Sequence, residues 1–305
     1  MAYIPIALVA LIGVLVTWQA FNAATGWERQ RVQQAFRAAA LDRILMVQRE
    51  IEQNLGVVQD IGSFFDASKW VDRREFRKFV EPALKRYTSI TALQWIPRLS
   101  AAERISFEEE ARRSFARFRI TETNQKGDLV RAGKRPVHFP VLYVQPYKLN
   151  KQALGLDLAA DPAALEVLQQ ARDSGQMRIS PLIPLERENG IEYGFAARLA
   201  VYNKAETGKT GAEDEEEGAP PDTPEERQLL LRGFAAGFFI LGEIVENALQ
   251  NLSPSGINMV FHDVSAADER HYLYRHASRV RPAKSGLHTP GNSETREHRE
   301  ICLLY

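Results

Sequence analysis

Three histidines near the C-terminal end are the first side chains whose types could bind a metal ion. They are His262, His271 and His276. A catalytic zinc site usually takes two histidines four residues apart on one helix, together with an acidic ligand, and these three show neither feature. The spacing therefore favours exposed histidines on strands and loops. We expect no metal ion and no other cofactor.

Two acidic residues, Asp157 and Asp161, could form an acid–base pair at a strand-to-helix junction. Asp161 precedes Pro162, which is the order typical of a helix N-cap and the first helical turn. Gly175 then predicts a left-handed C-cap for the same helix. Capping explains Asp161 without catalysis, and we expect Asp157 to hold a turn or the edge of a pocket.

Other catalytic arrangements have no support in the residue pattern. No Gly-rich phosphate loop follows a predicted strand, and the spacing supports no Ser-His-Asp arrangement. The single cysteine, Cys302, is better explained as a bystander than as a nucleophile. The sequence therefore predicts a protein that is not an enzyme.

The charge balance limits the kinds of partner. Among 305 residues there are 39 Lys and Arg and 39 Asp and Glu, so the formal net charge is zero. Without an overall basic field, binding to nucleic acid is disfavoured. One cysteine allows no intramolecular disulfide, which excludes a disulfide-stapled secreted module and fits either side of an inner membrane.

The first 25 residues predict a transmembrane anchor. Residues 1 to 27 contain no charged side chain, and residues 4 to 21 are interrupted only by Thr17 and Gln19 among the polar residues. This length can cross a hydrocarbon core of about 30 Å. A cleaved signal peptide and a buried core helix are the alternatives, but no leading basic residue or good cleavage site is present. The basic residues after the span, taken alone, would place the C-terminal side in the cytoplasm.

Residues 26 to 65 predict a long stalk helix. Apolar residues recur at steps of three and four, interrupted once by Gln48, at Leu41, Ile44, Ile51, Leu55 and Val58. Such a stripe lets two helices pack along a seam, so we expect a homodimer through the stalk. The alternative is an ordinary amphipathic helix that docks on its own domain.

Strand signals dominate the middle of the chain, with helices between them. The predicted strands cover residues 91–97, 137–143, 153–158, 177–183, 193–202, 231–240 and 256–263. The pattern lacks the alternation of a doubly wound sheet and indicates an α+β fold with antiparallel strands.

Residues 203 to 228 predict a disordered acidic loop between two strands. The segment has three basic and nine acidic residues, hence a net charge of minus six, and no Val, Ile, Leu or aromatic residue. Such a composition cannot bury enough apolar surface to offset the entropy of ordering. Calcium binding is the alternative, but the spaced oxygen ligands of a calcium loop are absent.

An ordered series of short motifs is similar to those of a known family. They are Phe64-Phe65-Asp66-Ala67-Ser68, Glu75-Phe76, Ala92-Leu93-Gln94-Trp95-Ile96-Pro97-Arg98, Glu103-Arg104 with Phe107-Glu108, Phe139-Pro140-Val141, Leu154-Gly155-Leu156-Asp157, Ala171-Arg172 with Gly175, and Leu231-Arg232-Gly233-Phe234. In this order they resemble the CHASE family over roughly residues 60 to 275.

The resemblance implies an extracytoplasmic sensor set between two membrane spans and joined to a cytoplasmic histidine kinase or diguanylate cyclase. It implies a membrane-distal PAS-like module over residues 66–202 and a membrane-proximal one, incomplete here, over residues 229–305. The alternative function is a membrane-tethered periplasmic scaffold or assembly protein without a small-molecule ligand.

The resemblance also implies a ligand site in the first module. Pro146 stands where the plant cytokinin receptors carry the Asp that binds adenine. Proline offers neither a carboxylate nor a backbone donor, so cytokinin itself is disfavoured. Ser180, or Ile179 under another alignment, matches a receptor Thr. We expect a small, partly aromatic or apolar ligand bordered by Tyr143, Gln145, Pro146, Tyr147 and Ser180.

Overall fold

The computed structural model describes residues 3–187, 190–204, 221–253, 256–263 and 271–278, with side chains from residue 11 onward except those of Arg187 and His271. Its helices are α1 Tyr3–Asp66, α2 Arg73–Arg86, α3 Arg104–Ser114, α4 Pro162–Ser174, α5 Pro224–Leu230 and α6 Leu241–Leu249. Its strands are β1 Ile90–Pro97, β2 Leu99–Ser100, β3 Thr121–Thr123, β4 Leu129–Arg131, β5 Val137–His138, β6 Tyr143–Gln145, β7 Arg178–Ile179, β8 Ile183–Arg187, β9 Gly190–Tyr202, β10 Leu231–Ile240, β11 Met259–Asp263 and β12 His271–His276.

The first helix, α1, is continuous over 64 residues and therefore about 96 Å long at ~1.5 Å per residue. It contains the whole of the predicted stalk, so the long helix over residues 26 to 65 is confirmed. Within the described side chains, no helix is apolar enough over a sufficient length to cross a membrane. The predicted anchor is thus not confirmed, and the side chains of its first ten residues lie outside the described part of the chain.

The apolar stripe of α1 packs against the chain's own core over its C-terminal half. Val58 is fully buried, and Ile51 and Leu55 pack in the same cluster, so these positions of the predicted dimer seam are used within the chain. Only further toward the N-terminus are apolar residues left exposed, among them Leu41, which is 54% exposed. The C-terminal half of α1 therefore docks on its own domain, as the alternative to a dimer seam predicts.

Local capping signals account for the helices around the sheet. Asp161 accepts a hydrogen bond from Ala163 N, Pro162 occupies the first turn of α4, and Gly175 ends it at a φ of 67°. The N-cap Asp72 starts α2 with a reciprocal capping box to Glu75. Each of these residues satisfies backbone groups that a helix end leaves without partners.

The core element is a six-stranded antiparallel sheet with the order β6-β1-β10-β9-β7, in which β8 also pairs with β9. This mixture of helices and antiparallel strands confirms the α+β fold class. The sequence places residues 231–240 in a separate module, whereas β10 lies between β1 and β9 of this one sheet. The boundary at residues 203–228 is therefore an insertion between paired strands, and it does not separate two sheets.

The acidic insertion is partly ordered, contrary to the expectation of a loop throughout residues 203–228. Residues 224–230 form α5, because Thr223 caps the helix and Glu226 closes a capping box with it. Residues 205–220, which include the acidic run, lie outside the described part of the chain.

A smaller unit follows β10. Helix α6 and the two-stranded sheet β11-β12 surround a separate apolar cluster that includes Val47 of α1 together with Val245 and Leu249 of α6. The buried Arg43 links α1 to the loop after α6, since its guanidinium donates to Ala39 O at 2.8 Å and to Ser253 O at 2.9 Å. Helix α1 therefore contacts both apolar units of the protein.

Candidate functional site

The central sheet has two faces of different composition, which β9 presents at alternate positions. The α1 face, which packs against α1 and α2, carries Phe195, Ala197, Leu199 and Val201. The α4 face, which packs against α4, carries Ala196, Arg198, Ala200 and Tyr202. Each face has its own apolar cluster, so the two sides of the sheet can be considered separately.

The α1 face is filled by large aromatic side chains. Phe65 of α1 stacks on Trp95 of β1 with ring centroids 3.7 Å apart, and Phe76 of α2 lies 5.5 Å from Tyr143 of β6. The Tyr143 hydroxyl donates to Val71 O at 3.0 Å. Burial raises the pKa of Tyr143 to about 12, so its hydroxyl stays protonated and bonded inside the core.

Four of the five expected ligand residues lie together near β6. Tyr143 and Gln145 are paired with Trp95 and Leu93, which places them on the α1 face. Gln145 Oε1 accepts from Tyr147 N at 3.2 Å, and Pro146 O accepts from Asn150 Nδ2 at 3.0 Å.. The Tyr147 ring lies 5.8 Å from Phe115 and under the Arg73 guanidinium at 4.9 Å. These contacts stabilise the loop after β6.

The fifth residue, Ser180, lies at the opposite edge of the sheet. Its Oγ accepts from Ala196 N at 3.0 Å and donates to Pro181 O at 2.8 Å. Four strand spacings separate β6 from β7, which amounts to about 19 Å at ~4.8 Å per spacing. The structure therefore does not bring Ser180 together with Tyr143, and one small molecule cannot contact both side chains.

The α4 face combines small side chains with two arginines. One row of directly opposed residues crosses the sheet at Val144, Gln94, Ala236, Arg198 and Arg178. The neighbouring row consists of Ala92, Phe238 and Ala196. Each row thus has an alanine near its centre, and Phe238 stands between the two alanines of the second row.

Arg198 is a charged side chain that is buried on the α4 face. It is 7% exposed, and its Nη1 atom has no hydrogen-bond partner within the described residues. Burial lowers the pKa of Arg198 to about 10, and the nearby charge of Asp161 acts in the opposite direction. The side chain therefore remains a cation at neutral pH. On the adjacent strand, the buried Nε of Arg178 also has no partner in the described part.

The sequence interpretation missed Arg198, although a signal is present. The residue interrupts the otherwise apolar segment from Phe195 to Val201, at a position that alternation assigns to a buried face. A buried arginine in such a segment calls for an acceptor. The sequence alone does not tell whether the protein supplies one.

Asp157 has a structural role beside the sheet. Its carboxylate accepts from Arg135 Nη1 at 2.8 Å, from His138 Nδ1 at 2.6 Å and from Phe139 N at 2.8 Å. It also accepts from Ala159 N at 3.1 Å, which caps the turn that precedes α4. These four donors use the acceptor capacity of the carboxylate, so Asp157 holds a turn, as the sequence predicts.

The three C-terminal histidines are spread over the β11-β12 sheet. His276 Nδ1 lies 2.8 Å from Glu246 Oε1, while His262 is paired in register with Tyr272. His271 is paired with Asp263, and its side chain lies outside the described residues. In the described ranges, no three His, Cys, Asp or Glu side chains form a group that could hold a metal ion.

Comparison with known proteins identifies the region that contains both faces. The family model of the CHASE domain matches residues 69–274 of the 305. No curated protein matches the sequence. CHASE domains are extracytoplasmic sensor domains of membrane receptors and are not catalytic. Since the match covers about two thirds of its length, the chain belongs to the CHASE domain family.

Proposed function

We propose that this chain is the extracytoplasmic ligand-sensing region of a membrane signalling receptor that works with a cytoplasmic histidine kinase or diguanylate cyclase. The observation that carries the proposal is a sensor-family fold with one sheet face whose buried cation has no partner among the described residues. The domain built on the central sheet is proposed to be PAS-like, and residues 1–25 are the proposed membrane anchor, in line with their lack of charge.

A route for the signal is offered by α1. This helix continues from the proposed anchor into the apolar cluster of the α1 face, and it also contacts the cluster around α6. A ligand that favours one arrangement of the sheet would shift the position of α1, because packed cores respond as units.

The proposed partner of α1 is a second copy of the chain. Apolar residues remain exposed along its N-terminal half, including Trp27 at 73% and Val32 at 59%. Their exposure supports a homodimer whose contact lies nearer to the proposed anchor than the stripe at Ile51 and Val58.

Reporter fusions test the membrane placement. Alkaline phosphatase, which folds only outside the cytoplasm, and green fluorescent protein, which fluoresces only inside, are joined in turn after residue 278. We expect phosphatase activity in the membrane fraction and no fluorescence. A fluorescent and phosphatase-negative pair of fusions would contradict an extracytoplasmic domain.

A thermal-unfolding screen of the full chain tests ligand sensing. The compounds are organic acids, phosphates, amino acids, nucleosides and sugars. A ligand at a hundred times its Kd stabilises a protein by about 2.7 kcal/mol, which corresponds to a rise in Tm of about 4 °C for a chain of 305 residues. We expect at least one class to give a saturable rise. A scaffold without a small-molecule site predicts that no class does so.

A further inference from the structure

We propose that the α4 face of the central sheet binds a small anion, a molecule with a carboxylate or phosphate group, through Arg198 and Arg178. This inference rests on the proposed sensor function, because it names the ligand class of that site. Arginine presents a planar fork of donors that matches both groups in a bidentate manner. The two arginines are directly opposed on β9 and β7, so their side chains leave the same face of the sheet.

Arg198 differs from Arg43 and Arg232, whose guanidinium groups are held by backbone carbonyls. Arg43 donates to two backbone carbonyls, and Arg232 donates to the carbonyls of Phe65, Ser68 and Lys69. Arg198 is as deeply buried as Arg43, at 7% against 8% exposure, yet its Nη1 atom has no partner within the described part. Burying a charged donor without an acceptor is costly, and a native site that does so requires an explanation.

The nearest neighbours of Arg198 on the α4 face are alanines. Ala236 lies opposite it on β10, and Ala196 precedes it by two positions on β9. Both of these neighbours have short side chains, and Phe238 lies opposite Ala196. Gln94, beyond Ala236 in the same row, adds an amide that can donate to a second oxygen of the ligand.

One carboxylate affects the charge of Arg198 from a distance. Asp161 is the carboxylate whose field reaches Arg198, and it is the N-cap of α4, where its Oδ1 accepts from Ala163 N at 3.1 Å. No side-chain hydrogen bond contributes to the pKa of Arg198. The described protein groups thus leave the cation without direct neutralisation, and an anionic ligand would supply it.

The experiment measures the thermal unfolding of the full chain, and its binding by calorimetry, in the presence of inorganic phosphate or succinate. Each anion is compared with chloride at equal ionic strength. We expect a saturable rise in Tm with at least one of the two anions. A response to phosphate alone indicates a phosphate ligand, and a response to succinate alone indicates a carboxylate ligand. In Arg198→Met, which keeps an apolar stem of similar length, affinity for that anion should fall at least about tenfold.

Arg232→Met is the matched control, since Arg232 is another arginine of the sheet but bonds to backbone carbonyls. It should lower Tm while the response to the anion remains. In chloride buffer without phosphate or succinate, Arg198→Met should leave Tm unchanged or raise it, because the variant removes a buried donor that lacks an acceptor. Arg198→Lys, which keeps the charge and loses the fork, should bind with intermediate affinity and covers the case in which the methionine variant does not fold.

Three results would overturn the inference. They are no response of the wild type to either anion, an unchanged response in Arg198→Met, and a fall in Tm of Arg198→Met as large as that of Arg232→Met. If neutral compounds stabilise the protein and both anions fail, the sensor function stands and the anion site is wrong. If an anion binds through Arg198 while the reporter fusions place the domain in the cytoplasm, the site stands and the proposed receptor role is wrong.

Discussion

The two faces of the central sheet differ in how far their polar groups are satisfied. On the α1 face, Tyr143 donates to a carbonyl, and the buried Asn54 accepts from Ser89 Oγ at 2.7 Å. On the α4 face, Arg198 and Arg178 each carry a buried nitrogen that has no partner in the described ranges. Stacked rings fill the first face, whereas the second combines the alanines beside Arg198 with the aromatic pair Phe139 and Phe234.

In this account, one side of the sheet stabilises the fold and the other side binds the ligand. Filled packing and bonded polar groups stabilise the folded state, so the α1 face fastens α1 to the domain. Free donors next to small side chains lower stability and provide binding capacity, which is the usual compromise at functional sites.

The largest expected effect comes from removing an aromatic ring on the α1 face. Phe65→Ala deletes a side chain that is 2% exposed and stacked on Trp95, and it should lower the free energy of unfolding by about 3–5 kcal/mol. Urea denaturation measures the change. Leu229→Ala, at a side chain that is 81% exposed, is the control and should shift stability by less than about 0.5 kcal/mol. A loss below 1 kcal/mol for Phe65→Ala would mean that the stacked face contributes little.

A smaller effect is expected from a change at Asp157, in the polar network beside the sheet. As on the α1 face, the Asp157 carboxylate has hydrogen-bond donors for its oxygens. Asp157→Asn removes the charge that holds Arg135 and His138, and it should destabilise the protein by about 2 kcal/mol. Asp161→Asn is the matched variant at the other member of the acidic pair. Asparagine caps a helix as well as aspartate does, so a change of only a few tenths of a kcal/mol is expected. Equal losses in urea denaturation would contradict the assignment of different roles.

The smallest effect concerns pH. The Arg135 guanidinium, followed by Gly133 N, holds the pKa of Glu122 below its ordinary value. On acidification, Glu122 of the unfolded chain is protonated before Glu122 of the folded protein. The ionised Glu122 therefore stabilises the fold fully above its ordinary pKa of 4.5, and this contribution is lost as the pH falls through the lowered pKa of the folded state. Glu122→Gln should therefore flatten the decline of stability with acid. Glu109→Gln, at an exposed position of α3, is the control and should decline as the wild type does. Identical curves for all three proteins would show that Glu122 has no part in acid stability.

Local signals in the sequence predict the elements well. Asp161, Pro162 and Gly175 delimit α4 because caps depend on a few neighbouring residues. The predicted strand over residues 231–240 coincides with β10. Its place between β1 and β9 could not be predicted, since pairing joins residues far apart in the chain. From composition alone, an insertion between two paired strands cannot be distinguished from a linker between two modules.

The candidate site could be predicted only in part. The segment after β6 does bring Tyr143, Gln145, Pro146 and Tyr147 together, but Ser180 belongs to the other edge of the sheet. Arg198 is visible in the sequence as a charge within an apolar strand. Whether its guanidinium finds an acceptor depends on the positions of α4 and β7, which alternation alone does not determine.

The most direct test of the division between the faces is nuclear magnetic resonance of the arginine Nε–H groups during titration with inorganic phosphate or succinate. Resonances are assigned with Arg198→Lys, Arg178→Lys and Arg232→Lys. The account predicts a saturable shift at Arg198 and Arg178 of the α4 face and no shift at Arg232, whose donors are held by backbone carbonyls. A shift at Arg232 with none at Arg198, or no shift at any of the three, would contradict it.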